Sequence, residues 1–244
     1  MSLIYEDDFK NKTTFSSSNI EAFKNFFYYA DKLISAEHLV LPATTLADNC
    51  YTDMFNSCSS LITAPELPAT TLAPVCYGGM FSGCKSLTKA PELPATTAVD
   101  SCYGSMFSGC SSLTTAPQLP ATTLERYCYD HMFYGCSSLT KAPELPATTL
   151  ADSCYLGMFY RCSRLTTAPE LPATVLTFMC YYNMLNWCES LNYIKMLATD
   201  VSASFCLGSW VSRVAPSGTF VKDASTTLPT GINGIPDGWT VETV

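Results

Sequence analysis

The chain has 244 residues, 48% of them apolar and 14% charged, with 12 glycines and a formal charge of −8. That composition excludes a disordered chain and a collagen-like one. The 21 acidic residues against 13 Lys and Arg leave no cationic footprint for a phosphate backbone, so nucleic acid is not an expected partner. No run of about 18 apolar residues is present to span a membrane, and the first twenty residues are too polar for a signal peptide. The expectation is a cytoplasmic protein or a trimmed piece of an exported one.

Residues 1–40 read as an N-terminal cap. FFYYADKLISA (26–36) matches MFNSCSSLITA (54–64) at a shift of 28, a degenerate half-repeat ahead of a longer array. Phe9, Phe15, Phe23, Phe26 and Phe27 are expected to cover the open end of that array, because an uncovered end exposes core and strand edges.

The array itself occupies 41–206. LPATT recurs at Leu41, Leu67, Leu93, Leu119 and Leu145, with LPATV at Leu171 and LATDV at Leu197, a period of 26 without insertion or deletion. This makes six repeats and the start of a seventh. In the repeat 67–92, Leu72, Cys76, Met80 and Cys84 step by four with Tyr77 and Phe81 beside them, which predicts a helical stripe. Thr70 or Thr71 would cap a helix from about Leu72 to Ser82, and Gly83 would end it. Ser86 to Pro94 then reads as one short strand, with Pro91 and Pro94 holding their predecessors extended. A unit of one strand and one helix cannot bury its apolar face alone, so the copies are expected to stack into a right-handed solenoid with a parallel sheet on one face. Residues 207–244 read as a β-rich C-terminal cap, with Pro236-Asp237-Gly238 as a turn.

The run FSGCSSLTTAPELP resembles the "AF-x-G-C-x-x-L-x-x-I-x-I-P" signature of BspA-like leucine-rich repeats, over about 41–206. The unit here is 26 rather than about 23 residues, with Met-Phe for Ala-Phe and Ala-Pro-Glu-Leu-Pro for the strand. The resemblance implies an α/β repeat solenoid: right-handed leucine-rich-repeat-like coils of one short strand and one short helix, with a small β-containing C-terminal cap. It also implies a bacterial cell-surface, extracellular location and adhesion to host or neighbouring-cell proteins.

All thirteen cysteines fall in two columns, Cys50 to Cys206 and Cys58 to Cys188, each on the 26-residue period. Spacings of eight and eighteen do not match the close pairs of structural zinc sites, and a buried free thiol packs as a small hydrophobe. No cofactor and no metal site are expected. The acidic column Glu66, Glu92, Glu144 and Glu170, interrupted by Gln118, reads as a solvated edge; a row binding calcium or a basic partner is the sharper alternative. His38 and His131 belong to no catalytic motif, so no catalytic residue is assigned and the chain is not read as an enzyme.

Positions that depart from the repeat consensus concentrate in the later repeats. Among them Tyr134, Tyr160, Arg161, Tyr182 and Trp187 form a candidate partner-binding patch, aromatic and Arg side chains being enriched where proteins bind. The alternative is that they shield the C-terminal cap or reflect drift. The leading functional reading is a monomeric, non-enzymatic module for protein–protein interaction, possessing a protein partner such as a host extracellular protein and no membrane span. A structural spacer within a larger surface protein is the second reading, and an enzyme the third.

Overall fold

A computed structural model describes residues 21–244. Phe9 and Phe15, assigned above to the first cap, lie outside the described residues.

The four-residue apolar step comes from a ribbon of consecutive β-turns. In the first full repeat the N–H groups of Cys50, Thr52, Met54, Asn56 and Cys58 each donate to the carbonyl three residues back, at 3.0–3.3 Å. The alternate N–H groups, those of Asn49, Tyr51, Asp53, Phe55 and Ser57, donate to Pro74, Cys76, Gly78, Met80 and Ser82 of the next repeat, at 2.7–3.0 Å. Half of the ribbon's donors thus close turns and half bond the neighbouring repeat, so the buried backbone is satisfied without a helix. Every fourth residue turns the chain through a left-handed conformation: Asn49, Asp53 and Ser57 have φ of 56°, 54° and 63°.

The predicted helix over Leu72–Ser82 is therefore not formed, and the strand-plus-helix solenoid falls with it. Among the described residues the regular elements are five short strands and no helix. The physical reason is spacing. Helices pack about 8–10 Å apart, whereas strands in a ladder sit about 4.8 Å apart, and here both sides of the repeat adopt the shorter spacing. Buried Tyr51, Tyr77, Tyr103 and Tyr129 stack with centroids 5.5–5.9 Å apart and planes within 10°. Phe55, Phe81, Phe107, Phe133 and Phe159 form a second stack at 5.4–5.7 Å with planes within 7°. Successive repeats are related almost by translation alone. A helical layer would hold these rings too far apart to touch.

The predicted strand over Ser86–Pro94 shrinks to single bridges. Lys89 pairs with Thr115, Lys141 with Thr167, and Thr167 with Tyr193, all parallel. Pro91 and Pro94 contribute no N–H, which stops each ladder from lengthening. A second ladder runs through the threonines after LPAT: Thr45 pairs with Thr71, and β1 (Thr97–Ala98) with β2 (Thr123–Leu124).

At the N-terminal side Phe23, Phe27 and Ala36 donate to Cys50, Met54 and Thr63, each 27 residues on, where the array uses 25. The two extra residues before Leu41 account for the difference. Phe23 stacks on Tyr51 and Phe27 on Phe55, extending both aromatic columns, and Phe26 packs edge-on against both. At the other side the turn ribbon continues through Phe205, Ser209 and Arg213, all left-handed. β3 (Tyr193–Met196), which precedes this ribbon, and β4 (Thr219–Lys222) and β5 (Thr240–Thr243), which follow it, form a parallel sheet in the order β3-β4-β5. Trp210 ends the tyrosine stack against Tyr181 and its indole N–H donates to the Gly234 carbonyl at 2.9 Å. Trp239 N closes the Pro236-Asp237-Gly238 turn on Pro236 O, with Gly238 at φ 80°.

Candidate interaction surface

The outward corners of the turn ribbon carry the residues that depart from consensus, because inward positions are committed to Cys, Tyr, Met and Phe. Two adjacent columns matter. Tyr134 and Tyr160 occupy one, where earlier repeats have Asn56, Ser82 and Ser108. The next column reads Ser57, Gly83, Gly109, Gly135, Arg161, Trp187 and Arg213, and every one of these residues has φ between 59° and 73°. Gly83 thus turns the ribbon instead of ending a helix. The later repeats keep the left-handed conformation after losing glycine, at a cost of about 1–2 kcal/mol for each side chain bearing a Cβ, and the inter-repeat bonds hold it: Arg161 N donates to Asn186 O and Trp187 N to Ser212 O.

Translation by one repeat then lays these side chains on one another. Tyr134 and Tyr160 stack at 5.2 Å with planes 4° apart. The Arg161 guanidinium lies 5.6 Å from the Tyr160 ring centroid and 5.3 Å from that of Trp187, and the Arg213 guanidinium lies 3.9 Å from a Trp187 ring centroid. The result is a continuous Tyr-Tyr-Arg-Trp-Arg row across four repeats, with Arg161 and Arg213 exposed and the rings half-buried. Such cation–aromatic contacts contribute about 0.5–1 kcal/mol each at exposed sites.

Four of the five predicted residues, Tyr134, Tyr160, Arg161 and Trp187, are brought together. Tyr182 is not; its ring lies over Gly208 in the neighbouring repeat. Arg213 was missed, although counting 26 from Trp187 reaches it and its column shares one backbone conformation. His131 approaches the end of the row, with its ring 5.8 Å from Tyr134 and its Nδ1 2.6 Å from Asp130 Oδ1.

Comparison with known proteins adds one likeness. A crystal structure of a leucine-rich repeat protein from T. pallidum is similar to this chain at 14% identity and a TM-score of 0.31, covering 78% of this chain and 74% of that one. No family model matches, and no curated protein matches.

The thiols belong to the buried side of the ribbon, not to this surface. All thirteen cysteines are free and buried, and desolvation pushes Cys50, Cys110, Cys128, Cys180 and Cys188 up to about 12. Ordinary thiols titrate near 8.5, so these stay protonated and unreactive at neutral pH. Among the described residues no three His, Cys, Asp or Glu side chains converge to hold a metal ion, and no helix is long and apolar enough to cross a membrane.

Proposed function

We propose that the chain is a non-enzymatic protein-interaction module of a bacterial cell surface, binding a partner protein through Tyr134, Tyr160, Arg161, Trp187 and Arg213. The single observation that carries this reading is the ordered cation–aromatic row on the outer corners of the turn ribbon. Tyr, Trp and Arg supply most binding energy at protein interfaces when prearranged, and these five side chains are ordered by contacts with one another. The resemblance of the repeats to BspA-like sequences supports the cell-surface setting and adhesion to host or neighbouring cells.

The test resets the row to repeat consensus with Tyr134→Ser, Tyr160→Ser, Arg161→Gly, Trp187→Gly and Arg213→Gly, and compares capture of purified host extracellular-matrix proteins by both arrays. Loss of capture by at least tenfold, with an unchanged thermal midpoint or a higher one, is the expected result. Equal capture would remove the row from function. The near-translational stacking of the rings favours a second reading, a stiff spacer inside a larger surface protein; that reading requires the reset array to behave as the original does.

A further inference from the structure

The opposite edge of the repeat carries two grooves at equivalent positions three repeats apart. One, of about 520 Å³, lies between residues 62–68 and residues 88–92 and 94. The other, of about 760 Å³, lies between residues 140–146 and residues 166–170 and 172. Each is walled by two Ala-Pro-Glu-Leu-Pro segments, so the sequence places an apolar proline floor between two glutamates. In the first groove no backbone hydrogen bond joins the two walls. The next interval of the same ladder is closed, Thr114 N donating to Thr88 O at 3.0 Å and Ala90 N to Thr115 O at 3.2 Å. The first groove opens where that ladder is interrupted, and it leaves main-chain groups of its walls to solvent.

Charge decides what fits. Glu66 and Glu92 stand on the two walls of the first groove and Glu144 and Glu170 on those of the second, all exposed. Glu170 pairs with Lys195 at 3.0 Å, whereas among the described residues Glu66, Glu92 and Glu144 enter no ion pair. In the first groove two unpaired carboxylates flank the apolar floor against one lysine, Lys89; in the second Lys195 holds Glu170 and Lys141 lies in the wall, leaving Glu144 unpaired, within a chain of net charge −8. An acidic partner would be repelled and a neutral one would leave the carboxylates desolvated without compensation.

We propose that these grooves bind extended, arginine-bearing peptide segments of a partner protein, the aliphatic stems lying on the prolines and the guanidinium groups between the paired glutamates. An extended chain carries little internal hydrogen bonding, so it can use the open wall groups of the first groove, and Arg offers a planar fork suited to the carboxylates of both. The two grooves, three repeats apart, would bind a partner with two such segments more tightly than either groove alone. This site is separate from the cation–aromatic row and stands or falls independently of it.

The experiment measures anisotropy of a fluorescein-labelled (Arg-Pro)6 peptide on the full chain. The set Glu66→Gln, Glu92→Gln, Glu144→Gln and Glu170→Gln is expected to weaken binding at least tenfold. A control removing equal charge elsewhere, Glu37→Gln, Asp48→Asn, Glu189→Gln and Glu242→Gln, is expected to weaken it less than threefold. Filling the grooves with Thr88→Trp and Thr166→Trp, all carboxylates kept, should also cost tenfold. Equal weakening by both charge sets would show attraction by net charge alone and overturn the proposal, as would undiminished binding by the Trp variant.

Discussion

Each thiol of the second cysteine column answers a backbone need. Cys110 Sγ donates to Phe81 O at 3.1 Å, a carbonyl that also accepts Cys84 N, and Cys84, Cys136, Cys162 and Cys188 repeat the contact at 3.1–3.2 Å. Cysteine suits the position as a small hydrophobe with one weak donor. Alanine would leave a void, and serine would bury a more strongly hydrated group. Burial also ties these thiols to stability. In the unfolded chain a thiol titrates near 8.5, and in the folded one Cys110 and Cys188 titrate at about 12. Below the unfolded value both states hold the proton and the thiols add no pH dependence. Above it the unfolded chain releases protons first, so stability falls as pH rises through about 12. Denaturant titrations between pH 7 and 11 should therefore show a flat midpoint to about pH 8.5 and a steep decline above it. A midpoint unchanged at pH 11 would contradict burial of the thiols as a group. The odd thirteenth cysteine, Cys206, needs no reactive role; it marks the incomplete seventh repeat of the array.

At the scale of the element, the distinction between helix and turn ribbon turns on a small angular difference. A step of four residues advances a helix by about 400°, only about 40° beyond a full turn, so Cys76, Met80 and Cys84 satisfy either reading. Pattern alone could locate the buried stripe, and it did: Cys76, Tyr77, Met80, Phe81 and Cys84 are all buried. What it could not supply is the destination of the N–H groups, because the acceptor for Tyr77 is Cys102 in another repeat. Left-handed residues give no clean signal either, since Val75, Tyr127 and Met179 occupy the conformation as well as glycine does. Glycine substitution separates the two structures. Ser105 has φ 54° and Ser108 is not left-handed. Ser105→Gly should stabilise by about 0.5–1 kcal/mol and Ser108→Gly destabilise by a similar amount, read from urea midpoints. A helix would lose about 1 kcal/mol at both positions. The same reasoning explains the partly legible surface: variable aromatics are visible as departures from consensus and the 26-residue period reaches Arg213, but only contacts between repeats show that Arg213 packs on Trp187 while Tyr182 stands apart over Gly208.

At the scale of the molecule, stability is a sum over nearly identical interfaces between neighbouring repeats. Each of the first five repeats brings one Tyr, one Phe, one Met and two Cys to its interfaces, with Leu185 replacing the Phe in the sixth, and burying each large side chain is worth about 1.5–3 kcal/mol before the entropy of ordering is subtracted. Register is set by the bond from each alternate N–H to the carbonyl 25 residues on, as in Tyr77 to Cys102, Tyr103 to Cys128 and Tyr129 to Cys154. Deleting residues 93–118 removes one whole period and joins Glu92 to Leu119, restoring the Glu-Leu step found at Glu66-Leu67, Glu144-Leu145 and Glu170-Leu171. That shortened chain should fold with an unchanged near-ultraviolet circular dichroism signature and a thermal midpoint lowered by a few degrees, because one interface is lost and the two caps are kept. Deleting 93–117 instead leaves one extra residue. The ribbon beyond it then offers outward residues where the aromatic columns need Tyr and Phe, and the left-handed positions no longer align. Its expected outcome is loss of the cooperative thermal transition. Similar midpoints for the two deletions would mean that the repeats tolerate slippage, and the aromatic stacks and alternating bonds would then not be what holds them in register.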